Sequence, residues 1–292
     1  MTKILVTGGN GQLGNSINSI KDKFSNLEIT FTDIDSLDIC NIDDVEKFVQ
    51  QNKFQYIVNC AAYTAVDKAE SEENLATKIN ASAVENLAIV AKNNNCKLIN
   101  VSTDYVFDGN AHKPYIEDDN TEPTSVYGKT KLKGEQLAFA SKAECINIRT
   151  SWLYSEFGNN FVKTMIKLGT ERDQLGIVWD QIGTPTYAVD LAKAILDIIE
   201  STSSGEKEFQ SGIYHYSNEG VASWYDFTIN IHQIYGINCD VSPIETKEYP
   251  TPAPRPCYSV LNKAKIKNVY SITIPHWRNS LERCIESIKA EQ

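Results

Sequence analysis

The sequence lacks the patterns that most simply mark metal, disulfide or nucleic-acid chemistry. No CxxC occurs among its seven cysteines, at 40, 60, 96, 145, 239, 257 and 284, and their number is odd. Scattered, unpaired cysteines suit a reducing compartment, where most serve as small buried hydrophobes. The four histidines (His112, His215, His232, His276) are equally dispersed, so neither an HxxxH nor a Cys/His zinc spacing exists, and no metal is expected. There is no dense Lys/Arg stripe with interleaved aromatics, and 28 basic against 38 acidic side chains leave a net charge of -10. Such a field repels a phosphodiester backbone, which argues against a nucleic-acid partner. The apolar run Ile4–Val6 meets glycine too soon for a signal-peptide core or a membrane span. The expectation is a cytoplasmic protein with no membrane partner. No internal repeat is visible.

What is present is ordinary globular material. Hydrophobic residues make up 41% and charged residues 23% of the 292 residues, enough for a real core and against disorder over most of the length. Short β-branched runs at Ile4–Thr7, Ile29–Thr32, Tyr56–Cys60, Leu98–Ser102 and Ile146–Arg149 read as strands. Helical patterns over Leu13–Asp22, Asp43–Asn52, Glu72–Asn93 and Val126–Ser141 separate them. Near-continuous apolar strands alternating with helices predict an α/β fold with a doubly wound parallel sheet, covered on both faces. Residues 1–150 are expected to form a dinucleotide-binding core. Residues 151–292 are expected to form mainly a smaller substrate-binding lobe, with some segments returning to the core. Tyr187–Glu200 and Trp224–Tyr235 still read as helices there, Ser201–Gln210 as a flexible surface loop, and Pro250, Pro252, Pro254 and Pro256 mark an extended segment.

Thr7-Gly8-Gly9-Asn10-Gly11-Gln12-Leu13-Gly14 follows a predicted strand and opens a predicted helix. In that context Gly8 permits a sharp turn, Gly11 a close approach of backbone to a pyrophosphate, and Gly14 tight packing of helix on sheet. The pyrophosphate would meet free N–H groups and the positive end of the helix dipole. The spacing is Gly-x-x-Gly-x-x-Gly rather than Gly-x-Gly-x-x-Gly. Asp33 ends the second strand 19 residues after Gly14, where an acid accepts hydrogen bonds from the adenosine ribose. No Lys or Arg lies between Lys23 and Lys47 to neutralise a 2′-phosphate, so of NADH and NADPH the former is favoured. The plainer alternative makes Asp33 a loop residue, with a basic group arriving from elsewhere in the fold.

Tyr127-Gly128-Lys129-Thr130-Lys131 sets Tyr127 and Lys131 at i and i+4, on one helix face. A phenol with a pKa near ~10 gives up its proton poorly at neutral pH, and a neighbouring ammonium is expected to draw it down. Ser102-Thr103-Asp104-Tyr105 ends the fourth strand, where ligands of open parallel sheets bind, so Thr103 is placed to orient a carbonyl oxygen beside Tyr127. Otherwise the pair is a solvated helix face, and Ser102 and Thr103 merely cap a loop.

Together the glycine loop, Asn59-Cys60-Ala61-Ala62-Tyr63-Thr64-Ala65-Val66-Asp67, Ser-Thr-Asp-Tyr-Val-Phe-Asp-Gly at 102–109 and Tyr-Gly-Lys-Thr-Lys resemble the extended short-chain dehydrogenases. More narrowly, they resemble the dTDP-4-dehydrorhamnose reductase family. Arg149–Tyr154, Asp180–Thr186 and Ala253-Pro254-Arg255-Pro256 extend the likeness over essentially the whole chain. The resemblance implies NAD(P)H-dependent reduction of the 4-keto group of dTDP-4-dehydro-β-L-rhamnose, a nucleotide-sugar substrate, with Tyr127, Lys131 and Thr103 catalytic. It implies that Gly11, Gln12, Leu13, Asp38, Ile39, Ala61, Ala62, Tyr63, Tyr127 and Lys131 line the cofactor. Thr103, Asp104 and Trp152 would meet the sugar or nucleotide, and Arg255 its diphosphate. Trp152 could equally anchor a core, and Arg255 an ion pair.

Some relatives dimerise through a magnesium ion held by glutamates, one soon after the glycine loop. Here Asn15 follows Gly14 and no Glu precedes Glu28, so a monomer or a metal-free homodimer is expected. A dehydratase would carry an Asp-Glu pair after the threonine, whereas Asp104 is followed by Tyr105. An epimerase, another nucleotide-sugar reductase, and a non-catalytic regulatory subunit of the same family stay open as alternatives.

Overall fold

The computed structural model describes residues 1–290. Its centre is a six-stranded sheet: β1 (Thr2–Thr7), β2 (Leu27–Thr32), β3 (Tyr56–Asn59), β4 (Lys97–Thr103), β5 (Cys145–Thr150) and β6 (Gly212–His215). The order is β6-β5-β4-β3-β1-β2 and every pairing is parallel. The expected strands are all present, each within two residues of its expected start. β6 escaped the sequence reading: four residues cannot display a period, and its partner strand is far away in sequence.

Side chains leave both faces of the sheet into apolar surroundings. Ile4 and Val6 point to one cluster, with α1 (Gln12–Ile20), the Ala188–Ser203 helix and Tyr270. Leu5, Ile57 and Leu98 point to the other, under α2 (Ile42–Asn52), α3 (Ala83–Asn93) and α4 (Val126–Ala140). Two-sided burial explains why the strands read as continuous apolar runs rather than alternations. α2 starts where Asn41 accepts from the Asp44 N–H, and α4 where Ser125 accepts from the Gly128 N–H. The segment expected as one helix over Glu72–Asn93 is interrupted by a π turn at Lys78–Ser82.

A buried polar rung crosses the sheet at the level of the site. Thr7 Oγ1 donates to Asn59 at 2.7 Å, Asn59 to Asn100 at 2.9 Å, and Asn100 to Asn147 at 2.7 Å. Each is the register partner of the next. A one-residue slip would strand these amides in the apolar layer, so the ladder pins the heights of the strand ends that carry the functional residues.

Beyond residue 150 the chain divides its work. β6 completes the central sheet, and the Ala188–Ser203 and Ala264–Tyr270 helices pack against it. The helices Phe161–Glu171, Trp224–Tyr235 and Trp277–Ala290 enclose a separate cluster around Tyr154, Phe227, Ile231 and Leu281. Ser201–Gln210 is not wholly a surface loop. The helix runs to Ser203, and Phe209 is buried with its ring edge-on to Tyr56. Among the described residues, no helix is long and apolar enough to cross a membrane.

Candidate active site

The strand order reverses about β1, which has β3 on one side and β2 on the other. Loops leaving the carboxyl ends of these strands diverge there and open a crevice, the usual ligand position in such sheets. Two cavities of about 490 and 560 Å³ fill it, sharing Asn10, Gly11, Cys60 and Ala62, so that they form one trough.

The first half is built by the glycine loop. Gly8 has φ +67°, and a Cβ there would stand 2.6 Å from the Ala61 nitrogen. At Gly14 a Cβ would stand 2.5 Å from the carbonyl oxygens of Gly8 and Gly9. These two positions admit only glycine, and the close packing they permit brings the amino end of α1 to the trough. Gly11 caps α1 with no side-chain acceptor, so the first-turn N–H groups remain available to an anion. Asp33, Asp38, Ile39, Ala61 and Ala62 line this half. Asp33 also braces the loop: Oδ2 accepts from the Asn10 N–H and Oδ1 from the Ile34 N–H, each at 2.8 Å. Lys78, remote in sequence, lines the same half and supplies the basic group that the stretch between Lys23 and Lys47 lacks.

In the second half, Gln12, Leu13, Thr103, Asp104, Tyr127, Lys131 and Trp152 all reach the wall. Lys131 Nζ donates to the Val101 carbonyl at 2.7 Å and is almost wholly buried. Burial lowers its ammonium to about 8, against the opposing attraction of Glu135. Burial pushes the Tyr127 phenol up to about 12; its hydrogen bond with Thr103 pulls the other way, and the Asp104 carboxylate adds to the rise. The expected lowering of the phenol by Lys131 is therefore absent in the free protein: Thr103 alone pulls the phenol down, and burial outweighs it. Thr103 stands between two acids. Its hydroxyl donates to Asp104 Oδ1 at 3.0 Å and is the hydrogen-bond partner of Tyr127. Burial raises the Asp104 carboxyl to about 6, and hydrogen bonds from Ser259, Thr103 and backbone N–H groups check the rise.

Trp152 has φ +49° and stacks on Trp224, with centroids 3.5 Å apart and planes 6° from parallel. It thus both lines the trough and anchors the lobe. A bulky residue held in the left-handed region beside a ligand cavity marks strain retained for geometry.

Three expected site residues do not line the trough. Gly14 sits behind the loop. Tyr63 turns its hydroxyl to Glu72 at 2.6 Å. Arg255 pairs with Asp67, Nη2 to Oδ2 at 2.7 Å.

Sequence reasoning missed Asn80. From the π turn, its side chain accepts from the Tyr63 N–H and donates to the Tyr63 carbonyl and Thr130 Oγ1. It thereby ties the Ala61–Tyr63 loop to the helix bearing Tyr127 and Lys131. A lone polar residue within a buried helical stripe was its only signal. Gln12, expected at the cofactor, lines the trough and has a further contact that spacing does not show: its Oε1 accepts from Ser155 Oγ at 3.1 Å and Asn160 Nδ2 at 3.0 Å, joining the glycine loop to the lobe.

A doubly wound parallel sheet, a glycine loop opening an uncapped helix, and a tyrosine beside a buried lysine at its edge together define a Rossmann-type oxidoreductase of the extended short-chain dehydrogenase kind. The model of the RmlD substrate binding domain family matches residues 1–290, and the chain belongs to that family. A dTDP-4-dehydrorhamnose reductase of Aggregatibacter actinomycetemcomitans is 41% identical over 288 residues, 97% of this chain and 98% of that one. The Escherichia coli K12 protein of the same name is 38% identical, over 98% of this chain and 97% of its own. Among solved structures, a dTDP-4-dehydrorhamnose reductase of Clostridium acetobutylicum superposes with a TM-score of 0.92 at 44% identity, covering 99% of this chain and all of the other. That of Bacillus anthracis, in complex with NADP, also gives 0.92, at 38% identity over 98% of this chain and all of its own.

Proposed function

We propose that this chain reduces the 4-keto group of dTDP-4-dehydro-β-L-rhamnose to give dTDP-β-L-rhamnose, using a reduced nicotinamide dinucleotide. The family and the names its relatives carry support the substrate. The carrying structural observation is Tyr127, Thr103 and Lys131 on the wall of one trough with the uncapped amino end of α1. The residues present suit the dinucleotide: Gly8 and Gly14 let the loop and α1 pack where a Cβ would collide, which brings free N–H groups that suit a pyrophosphate to the trough.

Bound there, the reduced cofactor supplies the hydride. Tyr127 donates its phenolic proton to the carbonyl oxygen as that oxygen becomes an alkoxide. Thr103 orients the oxygen with its hydroxyl, while Lys131 places a buried positive charge near the phenolate left behind and steadies it. Trp152 and Asp104 bound the space for the sugar.

We favour NADH, because Asp33 carries two oxygens at the ribose end of the trough and Ile34, next to it, offers no positive charge. Lys78 in the same half moderates that preference. Competing NADH with NADPH at equal concentration is expected to give a higher kcat/KM for NADH, and a clear NADPH advantage overturns it. The enzyme is read as cytoplasmic, in keeping with seven free thiols, and as a monomer or homodimer acting on a small nucleotide sugar.

The primary test follows cofactor absorbance with dTDP-4-dehydrorhamnose for wild type beside Tyr127→Phe. Wild-type turnover with a kcat loss of about 10²–10⁴ in the variant is expected. Cofactor binding without ketone reduction in the wild type sinks the substrate assignment.

A further inference from the structure

The proline-rich segment crosses the molecule as a strap, and one carboxylate fastens it. Asp67 Oδ1 accepts from the Ala253 N–H at 3.2 Å and Oδ2 from Arg255 Nη2 at 2.7 Å, across 186 and 188 residues of sequence. Asp67 directly follows Val66, which lines the trough. Beyond Arg255 the strap lies against the loop after β4: a Cβ on Gly109 would stand 2.6 Å from Pro256, and Tyr258 N–H donates to the Gly109 carbonyl at 3.0 Å. It then brings Ser259 to Asp104. Arg255 acts on Tyr105, whose phenol its charge pulls down against burial, and Tyr105 lines the trough and meets Tyr127 edge-on at 5.5 Å. The strap therefore packs behind residues that line the substrate half, among them Asp104 and Tyr105.

The guanidinium is only half used. Nη2 serves Asp67, while Nη1 is shielded from water and has no protein partner. A buried, uncommitted guanidinium donor is costly unless another acceptor completes it, and its planar fork suits a phosphate. We propose that Asp67 is a positioning residue for substrate capture. Its carboxylate fixes the strap and sets Arg255 so that Nη1 is kept for the diphosphate of the nucleotide sugar. This rests on the nucleotide-sugar reading above. It adds that the recognition of the diphosphate depends on an acid that never touches it. A competing arrangement, in which Asp67 occupies Arg255 and must release it, predicts the opposite sign.

The test is calorimetric binding of dTDP to wild type, Asp67→Ala, Asp67→Glu, Arg255→Ala and the Asp67/Arg255 double alanine variant, with NADH binding and Tm measured on each. Asp67→Ala is expected to weaken dTDP about tenfold while NADH affinity and Tm stay near wild type, with Asp67→Glu recovering part of the loss. The double variant should bind dTDP no more weakly than Arg255→Ala alone, since Asp67 acts through Arg255. Unchanged or tighter dTDP binding in Asp67→Ala overturns the proposal, as do additive losses or an equal loss of NADH. Wild type that binds NADH but not dTDP removes the nucleotide-sugar reading itself, and this inference with it.

Discussion

Replacing Asp104 by asparagine should stabilise the protein at alkaline pH while harming its activity. The Asp104 carboxyl is buried, and its folded pKa rises from 3.8 to about 6. A raised carboxyl favours the folded state while it is neutral and penalises it once ionised, so the cost is absent below about pH 4 and complete above the folded value. Two units correspond to about 3 kcal/mol. Asparagine keeps an oxygen to accept from Thr103 and turns its amide toward the Ser259 hydroxyl, which can accept. Imperfect replacement of the carboxylate's hydrogen bonds halves the gain, leaving about 1.5 kcal/mol, or a Tm rise of about 3 °C for a chain of this size. Thermal unfolding at about pH 8 should show that rise, and at about pH 4 it should vanish. A shift equal at both pH values, or destabilisation at pH 8, would refute the reasoning, since neither can come from a charge penalty. Turnover should fall because Asp104 borders the substrate half and partners Thr103. Stability given up for a charged wall is a common signature of a functional site.

Lys131, lowered to about 8 by burial, should set the alkaline limb of the pH profile. kcat/KM reports the free enzyme and should fall as pH rises through about 8, when the ammonium is lost. The same depressed pKa penalises the folded state below about 8, so Lys131→Met should abolish turnover yet raise Tm at pH 6. A limb that first appears near pH 10 would contradict the assignment. Gly134→Ala places a Cβ 2.1 Å from the Asn80 carbonyl oxygen, a backbone atom that cannot swing aside. Parting α4 from the π turn should cost about 3 kcal/mol in urea unfolding and raise KM for the cofactor through the Asn80–Tyr63 tie. A loss under about 0.5 kcal/mol would show that the two helices separate freely.

How much was legible follows from where each signal lies. The sheet announced itself because both of its faces are dry, which writes Ile4–Val6 and Ile57–Val58 as unbroken apolar runs. The glycine loop was readable because Gly8 and Gly14 answer to contacts within a few residues or at the facing strand end. Tyr127 and Lys131 were readable because helix geometry fixes i and i+4. Asn80, Lys78 and Asp67 were not, since each acquires its role only from a partner 17 or more residues away, delivered by the π turn or by the strap. The Asn59–Asn100–Asn147 rung is an intermediate case. Each asparagine is plain in its strand, but only register makes them a ladder.

The electrostatics at Tyr127 were beyond the sequence for a further reason: spacing gives proximity, whereas desolvation depends on everything packed around the pair. Lys131 spends a hydrogen bond on Val101 and is itself penalised for its charge, while Asp104 stands close enough to oppose a phenolate. Tyr127 therefore holds its proton across the whole physiological range. For oxidation of an alcohol, which needs a base, that would be a handicap. A reductase needs a proton donor, and a phenol pushed up to about 12 stays in the donating form at neutral pH. On the proposed mechanism, the phenolate left after donation depends on Lys131 remaining an ammonium. Protonation of Tyr127 sets no acidic or neutral limb, and the alkaline limb belongs to the lysine. The high phenol pKa, read from sequence as something the lysine lowers, is instead raised further by burial, which keeps Tyr127 in the proton-donating form.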